Sequence, residues 1–220
     1  MERTRRQGQI TFDMIPFLQR KFHTQYYDSE IIEKTFWHGV KVKKNIFDLW
    51  IYQEILFKTK PDILIETGTF HGGATLFFAN IMDMMNHGKV ISIDNKRYEN
   101  KLPVHKKIHY IEGNCIDNKI IQQIKDRIEP HFKVMAILDS VHNKSHVLKE
   151  LNIYSKIVTK GNYLIVEDTN INGNPVNIDV NSSPMQAIEQ FLKYNNNYII
   201  DREKEKFLFT FNPCGFLKRI

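Results

Sequence analysis

Cysteine is scarce in this chain: Cys115 and Cys214 are the only two, too few to form a disulfide framework. No apolar run approaches the roughly 18–20 residues that a membrane-spanning helix needs. The basic start, MERTRRQGQI, is not followed by the apolar stretch of a cleaved secretory signal. The seven prolines and ten glycines never gather into a linker, and no segment repeats. These absences exclude a disulfide scaffold, a membrane span and a tandem array. They lead to the expectation of one cytoplasmic domain over residues 1–220, with an N-terminal cap at 1–46 and an α/β core at 47–220.

Charge is modest but one-sided, with a net of +6. Lysines are scattered, and the densest group is Lys41, Lys43 and Lys44. No nucleic-acid-binding signature accompanies them, so a solvated basic surface is expected rather than a nucleic-acid partner.

What is present is a regular alternation of short apolar runs and longer segments of helical period. Phe47, Leu49, Trp50, Ile51, Ile55 and Leu56 fall at helical spacing, with Asp48 near the start, where a helix favours an acid. Pro61 ends that helix. Strands are predicted at 62–67, 89–94, 107–113, 134–139 and 162–168, and helices at 74–85, 118–128 and 146–158 between them. Ser183 and Pro184 read as N-cap and first turn of a helix to about Tyr194. YIID at 198–201 and KFLFTFN at 206–212 read as two closing strands. The pattern predicts a doubly wound, mostly parallel, seven-stranded Rossmann-like sheet. Such sheets bind ligands at the carboxyl ends of their strands. Glu66, Asp94, Asp139, Glu167 and Asp168 all close apolar runs, and so share that rim.

The first strand runs into ETGTFHGGAT at 66–75. Gly68, Gly72 and Gly73 permit a tight turn before a helix, but the spacing is neither Gly-x-Gly-x-x-Gly nor a P-loop. With Glu66 two residues before Gly68, and Thr69 after it, the turn resembles the first motif of class I S-adenosylmethionine-dependent methyltransferases. Asp94, 26 residues beyond Gly68, is placed to accept ribose hydroxyls. Gly113 and Asn114 in EGNCID stand where those enzymes bracket adenine.

At the other end of the rim lie LDSVHNKSH (138–146) and VEDT (166–169). Two adjacent strands ending this way bring Asp139, Glu167 and Asp168 together, and clustered carboxylates repel one another. Mg²⁺ is the expected remedy, and it leaves coordination positions for a substrate oxygen. His142, three residues after Asp139, is expected to act as a base or to orient the site. His146 is expected to cap or pack at its helix start, and His71 to lie in the loop near the cofactor. The long polar loop at 170–184 is expected to cover the metal site.

The blocks WHGVKVKKNIFDLWIYQEILFKTKPDILIETGTFHGGATLFFA, LDSVHNKSHVLKEL, GNYLIVEDT and FLFTFNPCGFLKRI resemble the cephalosporin hydroxylase family over roughly residues 36–220. That family has the class I methyltransferase fold and includes enzymes linked to rhamnosyl methylation in glycolipids. The Asp-x-x-His and Glu-Asp arrangement is also similar to metal-dependent macrolide-sugar O-methyltransferases. The resemblance implies S-adenosylmethionine and Mg²⁺ as cofactors, with Asp139 also beside the cofactor. It further implies Asp139, Glu167 and Asp168 as metal ligands, His142 as base, a hydroxylated sugar-containing acceptor and a homo-oligomer. Two other readings stand beside it: a metal-dependent hydroxylase, and a non-catalytic cofactor-binding partner of another enzyme.

Overall fold

The computed structural model describes residues 14–96, 101–177 and 182–220. The described residues begin with helix α1 (Met14–Asp28), a short hairpin of β1 (Phe36–Trp37) and β2 (Val40–Lys41), and helix α2 (Ile46–Thr59). Then come β3 (Ile63–Thr67), α3 (Gly73–Met84), β4 (Lys89–Asp94), β5 (Ile108–Glu112) and α4 (Asn118–Lys125). β6 (Val134–Leu138), α5 (Lys144–Tyr154) and β7 (Tyr163–Val166) follow, and α6 (Pro184–Tyr194), β8 (Tyr198–Ile200) and β9 (Phe216–Arg219) close the chain. Residues 1–13 of the expected cap and 178–181 of the expected covering loop lie outside the described residues.

Local chemistry sets the boundaries. Asn45 caps α2 by accepting from the Phe47 amide, and the helix ends at Lys60, in a left-handed conformation just before Pro61. Asn143 caps α5 by accepting from the His146 amide. Ser183 and Gln186 form a reciprocal capping box at α6, with Pro184 in its first turn.

The predicted seven-stranded, mostly parallel sheet is present, in the order β5-β4-β3-β6-β7-β9-β8. Among the described strands of this sheet, only β9 runs against the others, antiparallel to both β7 and β8. β3 and β6 are buried along their whole lengths, as strands covered on both faces must be. Period-2 alternation sends Ile63, Ile65, Ala136 and Leu138 to one face, packed with residues of α4, α5 and α6. Leu64, Met135 and Ile137 go to the other face, against α2 and α3. The chain lays β4 on one side of β3 and returns to lay β6 on the other. That reversal opens a crevice beyond the carboxyl ends of β3, β4 and β6. No helix among the described residues is long and apolar enough to cross a membrane.

The expected closing strand at 206–212 is a correction. These residues form no strand, and the last strand is β9 at 216–219. Their backbone is claimed elsewhere: the carboxyl of Asp48 takes the Phe211 amide at 2.9 Å and the Thr210 hydroxyl at 2.5 Å. The alternation of Phe209 and Phe211 reflects a ring cluster rather than a pleat, since both lie against His23 and Tyr26 of α1. Asp48 therefore anchors the C-terminal segment to the start of α2, beyond its placement near a helix N-terminus.

Asp48 is fully buried, and burial pushes its carboxyl up to about 8 against the pull of its Thr210 and Phe211 hydrogen bonds. Burial likewise raises Glu66, to about 7. Between the unfolded carboxyl value and these folded values the native state holds protons that the unfolded chain has released. Stability is therefore lost as pH rises from about 4 to about 8. Thermal unfolding of Asp48→Asn followed across that window is expected to decline less steeply than that of the parent, with the Glu66 contribution left. Parallel curves for the two proteins would contradict the assignment.

Candidate active site

The crevice is a cavity of about 450 Å³. Gly68, Asp94, Gly113, Asn114 and Asp139, expected at the cofactor end, all line it, as do His142 and Asp168. The two halves that the sequence suggests, one after β3–β5 and one after β6–β7, thus face a single space. Gly68 makes the join possible. Its φ is +93°, and a Cβ there would stand 2.0 Å from the Asp139 carbonyl oxygen, so a side chain would force the β3 and β6 termini apart.

Four expected cofactor residues do not line the cavity. Glu66 is fully buried, where its Oε2 accepts from Ser92 at 2.7 Å and from the Thr75 hydroxyl. Thr69 shares a 2.6 Å hydroxyl contact with Ser92. Gly72 and Gly73 open α3, where the chain passes close to Pro103 and to the Lys41 carbonyl. They shape the turn from behind. Asp94 sits at the rim, its two oxygens accepting the Phe70 and Lys96 amides at 2.9 and 3.0 Å.

Lys44 is the residue that sequence reading missed. Grouped by count with two surface lysines, it is 4% exposed. Its Nζ lies 2.5 Å from Asp139 Oδ2 and 2.8 Å from Glu167 Oε1. Burial alone pulls an ammonium down, but the two carboxylates outweigh it and hold Lys44 well above the usual lysine range. The charge compensation expected from a metal is thus supplied to Asp139 and Glu167 by the protein itself. Glu167 also accepts from the Tyr52 hydroxyl at 2.5 Å, and Tyr52 in turn accepts from Asn212 at 2.6 Å. Asn212 accepts the Asp168 amide at 3.0 Å with its other side-chain atom.

Asp168 has a left-handed backbone, φ 53°, directly after Glu167. The adjacent carboxylates accordingly serve different partners: Glu167 turns to Lys44, and Asp168 to the imidazole of His142, 3.4 Å away. His142 Nε2 is also 3.9 Å from Asp139 Oδ1. Burial lowers the imidazole's proton affinity, but Asp168 and Asp139 more than restore it and leave the ring raised. Asp139, His142 and Asp168 offer donor atoms all within 4.8 Å of one another; Glu167 is not in that group. Two carboxylates there suit a hard divalent ion.

The upper wall comes from aromatic side chains not individually singled out in sequence. Tyr27 of α1, Phe70 and Phe211 line the cavity, and the Lys43 ammonium stands 5.3 Å over the Phe70 ring. Of the loop expected to cover the site, residues 170–177 are docked on α1: Asn170 meets His23 at 2.9 Å, and Asn177 donates to the Tyr27 hydroxyl at 2.7 Å. His71 packs against Phe70 and does not line the cavity. His146 lies in the first turn of α5, where it is expected to cap or pack, and it also reaches the cavity.

Removing one partner of a buried ion pair costs about 3–5 kcal/mol, because the remaining charge stays desolvated. Lys44→Met, which leaves Asp139 and Glu167 facing each other, is expected to lose stability in that range in urea unfolding at neutral pH. A loss under about 1 kcal/mol, the size of an exposed pair, would mean that Lys44 is not the compensating charge.

Comparison with known proteins places this architecture. A rhamnosyl O-methyltransferase of Mycobacterium tuberculosis (strain ATCC 25618 / H37Rv) is 37% identical over 206 residues, covering 90% of this chain and 84% of the relative. The rhamnosyl O-methyltransferase of Mycobacterium leprae (strain TN) is 36% identical over 230 residues, covering 100% of both. Among solved structures, an apo-structure of CmcI superposes with a TM-score of 0.68 at 19% identity, over 86% of this chain and 77% of that one. CmcI with Mg and SAM gives a TM-score of 0.66 at 19% identity, with the same coverage. At that identity the likeness speaks to the fold. The family described as rhamnosyl O-methyltransferase/CmcI matches residues 29–220, and the chain belongs to it.

Proposed function

We propose that this protein is an S-adenosylmethionine-dependent O-methyltransferase that methylates a sugar hydroxyl, with Mg²⁺ at its acceptor site. The observation that carries the reading is the single cavity in which Gly68, Asp94, Gly113 and Asn114 face Asp139, His142 and Asp168. The rhamnosyl O-methyltransferases to which the chain is similar favour a sugar acceptor. Residues 47–220 would supply the methyltransferase core and the N-terminal cap its upper wall.

In this reading the bound cofactor supplies a sulfonium methyl group, and Mg²⁺ lowers the pKa of the acceptor hydroxyl. Asp94 would accept the ribose hydroxyls, and Gly68 would let the backbone come close to the cofactor. Asp139 and Asp168, whose oxygens share one donor cluster, would hold Mg²⁺, with Glu167 beside them bound to Lys44 and Tyr52. His142 Nε2 would accept the proton of the hydroxyl as the O–methyl bond forms, and Asp168 would steady the resulting imidazolium. Tyr27, Phe70 and Phe211 would exclude water. Much of the rate gain would come from holding two reactants in line. The cluster of two carboxylates and one imidazole differs from the two-histidine, one-carboxylate set of non-haem iron oxygenases, which favours methyl transfer over hydroxylation.

Calorimetric titration is expected to give micromolar cofactor binding to the parent and to His142→Ala alike. With a rhamnosyl acceptor, His142→Ala is expected to lose about 10²–10⁴-fold in kcat. Asp139→Asn should lose both the Mg²⁺ signal and turnover while keeping its fold by circular dichroism. An active Asp139→Asn enzyme in chelator would sink the metal assignment, and failure to bind the cofactor at all would sink the methyltransferase reading.

A further inference from the structure

A second donor cluster lies on the floor of the same cavity, separate from Asp139, His142 and Asp168. Cys115 sits in the turn between β5 and α4, and His146 and Glu150 lie one helical turn apart on α5. Donor atoms of the three residues all fall within 4.8 Å of one another. Cys115 Sγ is 3.5 Å from His146 Nε2 and 3.2 Å from Glu150 Oε1, and His146 Nε2 is 3.8 Å from Glu150 Oε2. Ligands at the usual bond lengths around a tetrahedral zinc ion stand about 3.3–3.6 Å apart. The Cys115–His146 separation falls in that range, and the separation of His146 from Glu150 Oε2 is a few tenths of an ångström above it.

An independent observation points the same way. Glu150 is completely buried, and its Oε2 has no hydrogen-bond partner among the described residues. A buried carboxylate oxygen left bare is costly, and it calls for a cation or a proton. The other oxygen, Oε1, is braced by the Thr67 hydroxyl at 2.7 Å and the Ser140 hydroxyl at 2.9 Å. Such outer bonds fix a carboxylate ligand in place. Cys115 and His146 both line the cavity, while Glu150 lies behind them. The open side of the cluster thus faces the space that a ligand would enter.

We propose that Cys115, His146 and Glu150 form a second metal site, for a borderline-soft divalent ion of the Zn²⁺ type, with its fourth position open to the cavity. Thiolate and imidazole select such an ion over Mg²⁺, and three protein ligands with one open position is the pattern of a reactive rather than a sealed zinc site. As the metal–sulfur bond forms, the Cys115 proton passes to solvent. Glu150 Oε1 then loses the thiol contact but keeps Thr67 and Ser140.

Cobalt makes the site visible. The full-length protein, stripped with chelator and titrated with Co²⁺, is expected to develop a thiolate-to-cobalt charge-transfer absorption that Zn²⁺ then abolishes. Asp139, His142 and Asp168 carry no sulfur, so cobalt bound there gives no such band. Cys115→Ser is expected to lose the band and Cys214→Ser to retain it. His146→Ala, a change at a less buried position that keeps the Cys115 thiol, is expected to weaken Co²⁺ binding beyond the about 10–100-fold typical of losing an outer-shell partner. Absence of the band in the parent, its survival in Cys115→Ser, its loss in Cys214→Ser or unchanged affinity in His146→Ala would each overturn the proposal. The readout is independent of methyl transfer, so it stands or falls apart from the proposed activity.

Discussion

One buried ammonium holds the rim of this sheet together. Lys44 stands between Asp139 at the end of β6 and Glu167 just after β7, and all three side chains are largely removed from water. Without it, two parallel strands would end in carboxylates facing each other in a medium that does not screen them. Exposed pairs such as Lys206–Glu54 and Lys41–Glu33 contribute little by comparison, because water competes for both partners. Much of the surrounding architecture serves to fix this charge. Asn45 next to Lys44 caps α2. Tyr52 of α2 steadies Glu167, and Asn212 steadies Tyr52 while taking the Asp168 amide. Asp48, also on α2, secures Thr210 and Phe211, and through them the segment that carries Asn212.

The same constraint explains why the C-terminal segment is irregular where its residues alternate like a strand. A strand at 206–212 would commit its amides to a ladder. The Phe211 amide goes instead to Asp48, and the Asn212 side chain reaches under the cavity. Edge position was available, yet satisfying a buried carboxyl outweighs the modest preference of alternating apolar residues for a sheet. Phe211 then contributes its ring to the cavity wall, alongside Tyr27 of α1.

The fold was legible because its causes are local or periodic. Strand runs bounded by helical segments, Pro61 after α2 and the Ser183–Pro184 start of α6 are written within a few residues of where they act. The rim acids were legible for a related reason: each closes an apolar run, so topology alone brings Asp94, Asp139 and Asp168 to one crevice. Lys44 was not legible, because a lysine among lysines gives no local sign of being buried; its partners lie 95 and 123 positions away. Nor could sequence spacing separate Gly68, which faces the cavity, from Gly72 and Gly73, which pack behind the turn. The direction of a carboxylate is equally hidden. Glu66 lies inside β3 and Glu167 directly follows β7, but Ser92 of β4 and Tyr52 of α2 turn them inward.

The two donor clusters around the cavity differ in a way that follows from what surrounds them. Asp139 and Asp168 hold a part-exposed imidazole between them at the mouth, where a hard ion can keep its waters. Cys115 and Glu150 are buried, and only His146 retains modest exposure. Desolvation there penalises a strongly hydrated ion and favours one bound through sulfur and nitrogen. Ser140 marks the divide: it follows Asp139 directly, yet its hydroxyl turns to Glu150. One strand end thus feeds both clusters, one through Asp139 and the other through its neighbour. A cavity so built can keep two cations of different hardness apart without any residue serving both.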